Sequence, residues 1–293
     1  MIHAILILAH KNPEMLIPLV KYFVRDCMVY IHYDATHPLP TDVHVALNGF
    51  PHVKGIFQEY RVHWGGFSVL QAELFLLQQA LSDDHRASFY HLISGQDYPI
   101  KPLHAFQSFF ENHPEQDYID YQEMNPESNH FDVLRRLCLF QPHDRLDART
   151  RQGRNIALAW SRHQLKNGFR RKRPMHFSRF YKASQWFSIT DTSARLLMDY
   201  TTSCPSFLEH FRYEFAPEEC YVPTVILNLS PVPHQNCNLR YIRWKSEHGS
   251  NPSNLGIEHL PDILQSDAFL ARKMEKPYCE PLIHQIEKKI LNV

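Results

Sequence analysis

No stretch of the 293 residues approaches the roughly 20 consecutive apolar positions that a membrane-crossing helix needs. The first ten residues carry a short apolar run with no basic residue before it and no small-residue cleavage site after it. They therefore read as a first β-strand rather than a signal peptide. The expected compartment is the cytoplasm, with any membrane association peripheral, at the inner face of the plasma membrane. Cys-x-x-Cys is missing as well: Cys27, Cys138, Cys204, Cys220, Cys237 and Cys279 are scattered and read as reduced thiols. The 20 histidines form no His-Glu-x-x-His or comparable ligand cluster, so no metal site is expected. No Gly/Ser-rich or repetitive stretch suggests disorder. Charge of one sign is not in excess, with 31 basic and 31 acidic residues, which argues against a nucleic-acid binder.

What is present is ample core material, 44% hydrophobic and 13% aromatic. The length allows two domains, but nothing in the middle divides the chain, and 1–293 reads as one α/β domain. Short β-rich runs at 2–9, 29–33, 53–57 and 89–93 alternate with amphipathic stretches, the pattern of a sheet flanked by crossover helices. Between the last two, Ser68 is placed to cap a helix whose apolar stripe is Leu70, Leu74, Leu77 and Leu81. Ligands of open α/β sheets bind beyond the carboxyl ends of the strands. Those ends carry His10-Lys11-Asn12, Asp34 and Ser94-Gly95-Gln96-Asp97, residue types that ordinary turns also favour.

Residues 125–182 read as a basic insertion, with one helical segment near 156–165. Between Arg145 and Lys182 the sequence holds Arg149, Arg151, Arg154, Arg162, Lys166, Arg170, Arg171, Lys172, Arg173 and Arg179 against the single acid Asp147. This is either a solvated helix and loop or an electrostatic foot for an anionic membrane or acceptor. A strand is expected at 184–189, then a helix capped by Asp191 or Thr192. Pro217 opens a short helix through Glu218 and Glu219, a strand follows near 239–244, and helices start at Pro261 and Pro281.

Six blocks occur in order: His63-Trp64-Gly65-Gly66-Phe67-Ser68, Leu92-Ile93-Ser94-Gly95-Gln96-Asp97-Tyr98-Pro99-Ile100, Ala183-Ser184-Gln185-Trp186-Phe187, Pro217-Glu218-Glu219 with Pro223-Thr224, Leu239-Arg240-Tyr241-Ile242-Arg243-Trp244 and Phe269-Leu270-Ala271-Arg272-Lys273-Met274-Glu275. Together they resemble the core-2/I-branching N-acetylglucosaminyltransferase and peptide O-xylosyltransferase family, glycosyltransferase family 14, over about residues 2–275. The resemblance implies a GT-A fold with a mixed central sheet, a UDP-sugar donor, inversion at the anomeric carbon and independence of metal. Asp-x-Asp, the usual metal-binding tripeptide of GT-A enzymes, is absent from the sequence.

By the same resemblance, Glu219 is the general base and Arg272 with Lys273 stabilise the departing diphosphate, although such a pair also suits a solvated helix end. Glu218 is its neighbour in an acceptor or dipole role. Asp34 corresponds to the acid that reads the uracil ring, and His63 and Trp64 fall beside the nucleotide, Trp64 being equally suited to a core. His10, Gly95 and Asp97 complete the expected donor set. Gln185 and Trp186 are expected at the acceptor, where the indole offers a face for a sugar or fills the core. Animal members carry a membrane anchor, stem and disulfides, whereas this sequence starts at its first strand, which points to a bacterial enzyme of surface polysaccharide synthesis. The second basic residue of the branching enzymes has no counterpart in 246–254. N-acetylglucosamine is the expected sugar and a glycan or lipid-linked glycan the expected acceptor. A pentosyl transferase and a non-catalytic carbohydrate-binding protein are the alternatives.

Overall fold

The computed structural model describes residues 1–125, 127–146, 148, 150–172, 176–245 and 250–291. In chain order the first half runs β1 (His3–Ala9), α1 (Leu16–Phe23), β2 (Cys27–Tyr33), α2 (Thr41–Asn48), β3 (Val53–Phe57), α3 (Phe67–Leu81), β4 (Phe89–Ser94), β5 (Tyr98–Pro99), α4 (Leu103–Asn112), β6 (Asp117–Met124) and α5 (Phe131–Leu137). Then follow α6 (Arg151–Lys166), β7 (Phe180–Thr190), α7 (Asp191–Ser203), α8 (Pro205–His210), α9 (Glu218–Leu229), β8 (His234–Gln235), β9 (Arg240–Ile242), α10 (Leu260–Gln265), β10 (Leu270–Arg272) and α11 (Glu280–Ile286). A seven-stranded sheet has the order β3-β2-β1-β4-β7-β6-β8, and a small sheet the order β5-β10-β9. β3, β2, β1 and β4 are parallel, while β7 is antiparallel to both β4 and β6. This is the mixed, helix-flanked sheet that a GT-A fold calls for.

β1, β2 and β4 are buried along almost their whole length because helices cover both of their faces. Side chains alternate along β1: Ala4 and Leu6 join Leu70, Leu74 and Leu77 of α3, whereas Ile5 and Ile7 join Phe23, Phe106 and Phe110 on the other side. Each such buried Leu or Ile contributes about 1.5–3 kcal/mol. A third core under the small sheet is built on Tyr98, Leu255, Ala271, Leu282 and Ile286.

Two expected caps are corrected. Ser68 lies inside α3, whose cap position is Gly66. The N–H groups of Phe67 and Ser68 donate instead to Asp144, at 2.9 and 3.2 Å, so a distant loop supplies the carboxylate that the helix N-terminus favours. α7 is capped by Thr190, which accepts from the Ser193 N–H, and Asp191 opens its first turn. β7 runs beyond 184–189 at both ends because β6 pairs along its outer edge. All six cysteines are free thiols. Among the described residues no helix is long and apolar enough to cross a membrane.

Candidate active site

The carboxyl ends of β1, β2 and β4, the start of β7, the first turn of α9 and the end of β10 surround a cavity of about 990 Å³. Of the twelve expected site residues, His10, Asp34, Trp64, Gln185, Trp186, Glu218, Glu219 and Arg272 line it. His63, Gly95, Asp97 and Lys273 stand outside that lining.

Asp34 is buried at the end of β2. Its Oδ1 accepts from the Val62 N–H, the Thr36 N–H and the Thr36 hydroxyl at 2.8–2.9 Å. Burial works to raise its pKa, but these hydrogen bonds outweigh it and hold the carboxyl below its ordinary value. Trp64 is 52% exposed at the rim, packed on Phe215, which excludes the core reading. Gly65 after it sits at φ +74°, and a Cβ there would stand 2.9 Å from the Phe215 ring, so the rim needs glycine. The backbone N–H of His63 donates to Ser68 Oγ at 2.9 Å. Gly95 allows close packing, since a Cβ would lie 2.8 Å from Ala9 Cβ.

Asp97 acts through an arginine. Its Oδ1 accepts from Arg272 at 3.0 Å, and the fully buried Arg240 lies 3.7 Å from its Oδ2. Burial lowers the Arg240 pKa to about 10. The Arg272 guanidinium sits 4.3 Å from the Trp186 ring centroid, so Trp186 is both a buried strand residue and one wall of the cavity. Lys273 donates to Ser250 Oγ at 3.2 Å. Burial, followed by the charges of Lys11 and Arg272, lowers its pKa. Arg272 thus lies within electrostatic reach of both Arg240 and Lys273.

On the opposite wall, Glu219 Oε2 accepts from Arg136 Nη2 at 2.8 Å. Arg136, only 4% exposed, also contacts Asp132 at 3.2 Å and the backbone carbonyls of Phe215 and Ala216. Burial opposes its charge, but Cys220, Glu219 and Asp132 together hold it above the ordinary guanidinium value. Glu218 is more deeply buried. Its Oε2 has no hydrogen-bond partner among the described residues, and burial, then the charge of Glu219, pushes its carboxyl up to about 8. Glu73 of α3 is wholly buried beside it, held at 3.4 Å by Gln185, and burial raises its carboxyl well above the ordinary value. Arg135, Arg136 and Glu73 were missed by the sequence reading. Asp132 with Arg135 and Arg136 at helical i+3 and i+4 spacing was the available signal.

The basic segment is only partly solvated. Arg171 pairs with Glu214 at 3.0 Å and Lys182 with Asp132 at 3.0 Å, both turned inward. Arg145, Arg151, Arg162, Lys166 and Lys172 are exposed. Asp147, Arg149, Arg173 and residues 246–249 lie outside the described residues. Among the described residues no group of three or more His, Cys, Asp or Glu side chains is placed to hold a metal.

The chain is similar in structure to mouse xyloside xylosyltransferase 1, at TM-score 0.39 and 11% identity over 95% of this chain and 99% of that one. It is similar to a putative glucose-1-phosphate thymidylyltransferase from Bacillus anthracis, at 0.36 and 12% over 80% and 86%. The likeness to S. aureus TarS, at 0.29 and 13%, covers 41% of this chain and only 21% of that one. These likenesses are too distant to carry an argument. A search of curated protein sequences found no match. The profile of the Core-2/I-Branching enzyme family, by contrast, matches residues 4–264, ending before the block that holds Arg272 and Lys273. The chain belongs to the Core-2/I-Branching enzyme family and is a glycosyltransferase.

Proposed function

We propose that this glycosyltransferase moves N-acetylglucosamine from a UDP-sugar to a hydroxyl of a glycan or lipid-linked glycan, inverting the anomeric carbon without a metal. The observation that carries the reading is the Glu219 carboxylate, fixed by Arg136 across a cavity whose other side holds Arg272. Glu219 takes the acceptor hydroxyl's proton while that oxygen forms its bond to the anomeric carbon. The bond from that carbon to the diphosphate oxygen breaks on the opposite face, and UDP leaves with the electron pair. Arg272, oriented by Asp97 and Trp186, and Lys273 beside it receive the charge that develops. Asp34, with one oxygen held by its own loop, is the candidate reader of the uracil N–H. Glu218 supplies acceptor contact as a protonated carboxyl at neutral pH, which leaves Glu219 as the base.

Metal independence rests on the missing Asp-x-Asp and on this cation pair. Calorimetric titration of UDP, UDP-N-acetylglucosamine, UDP-glucose and UDP-xylose in EDTA tests it. Binding of UDP and tightest binding of UDP-N-acetylglucosamine are expected. Tightest binding of UDP-xylose would replace the sugar, and binding restored only by manganese would overturn the mechanism. Glu219→Gln is expected to bind donor normally and to lose about 10²–10⁴-fold in turnover. Wild-type turnover in that variant would move the base elsewhere.

A further inference from the structure

Helix α6 is built the wrong way round for a surface helix of a globular protein. Its buried stripe is Gly153, Ala157, Ser161 and Gln164, small or polar, while Ile156, Leu158 and Trp160 face outward. Ile156 and Trp160, four residues apart, share one side of the helix. Beyond its carboxyl end lies an exposed aromatic cluster, with Phe140 stacked on Phe169 at 5.6 Å and edge-on to Tyr213 at 5.5 Å. The five exposed apolar and aromatic side chains Ile156, Trp160, Phe140, Phe169 and Tyr213 are 37–44% accessible. α6 contains no acidic residue, and the exposed cations Arg145, Arg151, Arg162, Lys166 and Lys172 lie on it and in its flanks. Tyr213 stands two residues before Phe215, a wall of the cavity, so this surface adjoins the site.

We infer that α6 and the Phe140–Phe169–Tyr213 cluster form a docking surface for an anionic lipid bilayer, which presents a lipid-borne acceptor to the adjoining cavity. Cations alone would suit any polyanion. Half-exposed Trp and Ile beside them favour an interface with an apolar interior, where aromatic side chains insert and basic ones meet lipid phosphates. Only the acceptor half of this rests on the transferase reading above, and the test below needs no turnover. The full chain is sedimented with phosphatidylcholine vesicles with and without phosphatidylglycerol, at low and high salt. Binding to the anionic vesicles alone, weakened by salt and lowered about tenfold in the doubly substituted Ile156→Ser, Trp160→Ser protein, is expected. Unchanged thermal melting and unchanged donor binding show that this variant is folded. The inference is overturned if the anionic vesicles fail to sediment the wild type at low salt, or if the variant sediments equally well. Retention on heparin without vesicle binding also overturns it and makes the surface a polyanion site. Vesicle binding by a chain that transfers no sugar would leave the docking surface standing and remove the transferase mechanism alone.

Discussion

Two adjacent glutamates at the start of α9 differ because only one meets a cation. The Arg136 guanidinium donates to Glu219, whereas Glu218 is buried near Glu73 with its Oε2 lacking a hydrogen-bond partner among the described residues. Adjacent residues on a helix point about 100° apart, so a Pro-Glu-Glu motif shows that the two carboxyls meet different surroundings without showing what stands opposite each. The motif was legible in the sequence; the partner was not, because Arg136 comes from a segment 83 positions away. On the mechanism proposed above, Arg136 is a positioning residue, acting on the acceptor through Glu219. Arg136→Gln is therefore expected to lower kcat by about 10–100-fold with donor KM little changed, since the interaction it removes counts only when the base is in line. Arg136→Lys restores part of kcat. Steady-state kinetics of both variants check this, and equal loss in kcat and donor affinity would argue for a merely structural role. Breaking a buried pair also costs about 3 kcal/mol of stability, so melting curves accompany the kinetics.

Local patterns found the elements whose burial is uniform. β1, β2, β3 and β4 lie within two residues of their expected bounds, and the leucine stripe of α3 faces the core. β6 escaped because its sequence, Asp-Tyr-Ile-Asp-Tyr-Gln-Glu-Met, is acidic and exposed over its second half. Only pairing with β7 makes it a strand. The cap of α3 escaped for a related reason. Ser68 has the right chemistry, but Asp144, 76 positions on, takes both the helix amides and the Ser68 hydroxyl. That carboxylate ties the insertion to the helix that ends the Trp64 rim. Asp144→Ala is expected to cost about 1–2 kcal/mol, read as a lower denaturant midpoint with unchanged slope. It is also expected to weaken donor binding through a looser rim, whereas Asp144→Asn, still able to accept from an amide, loses less.

Across the whole molecule, buried ionisable groups fall into two sets that pull stability in opposite directions with pH. Burial holds His3, His32 and His143 at about 4 and His91 well below 6.5. The unfolded chain therefore takes up protons that the fold refuses as pH drops below 6.5. Stability from these groups is full above 6.5 and is lost on the way to 4, by about 3 kcal/mol for each of the first three. Glu73, Glu214 and Glu218 are raised by burial, Glu218 to about 8. Their protons are bound in the fold and released from the unfolded chain above 4.5, so their contribution is full below 4.5 and declines as pH rises, for Glu218 until about 8. Between 4.5 and 6.5 the two sets oppose each other. Below about 4 the acid loss passes from the histidines to Asp34, Asp83 and Asp132, whose carboxyls hydrogen bonds and ion pairs hold below their ordinary value, and above 6.5 the glutamates act. The melting temperature is accordingly expected to rise as pH falls from 8 to about 6.5 and to drop steeply below about 4.5. Differential scanning calorimetry across this range checks it, with His3→Phe as the probe. Replacing one buried neutral ring by another removes a protonation site without emptying the core, so the variant should hold its melting temperature further into acid. A maximum that instead sits above pH 7 would mean that the buried glutamates do not hold their protons in the fold at neutral pH, and the proposed role of Glu218 as a protonated acceptor contact would fall.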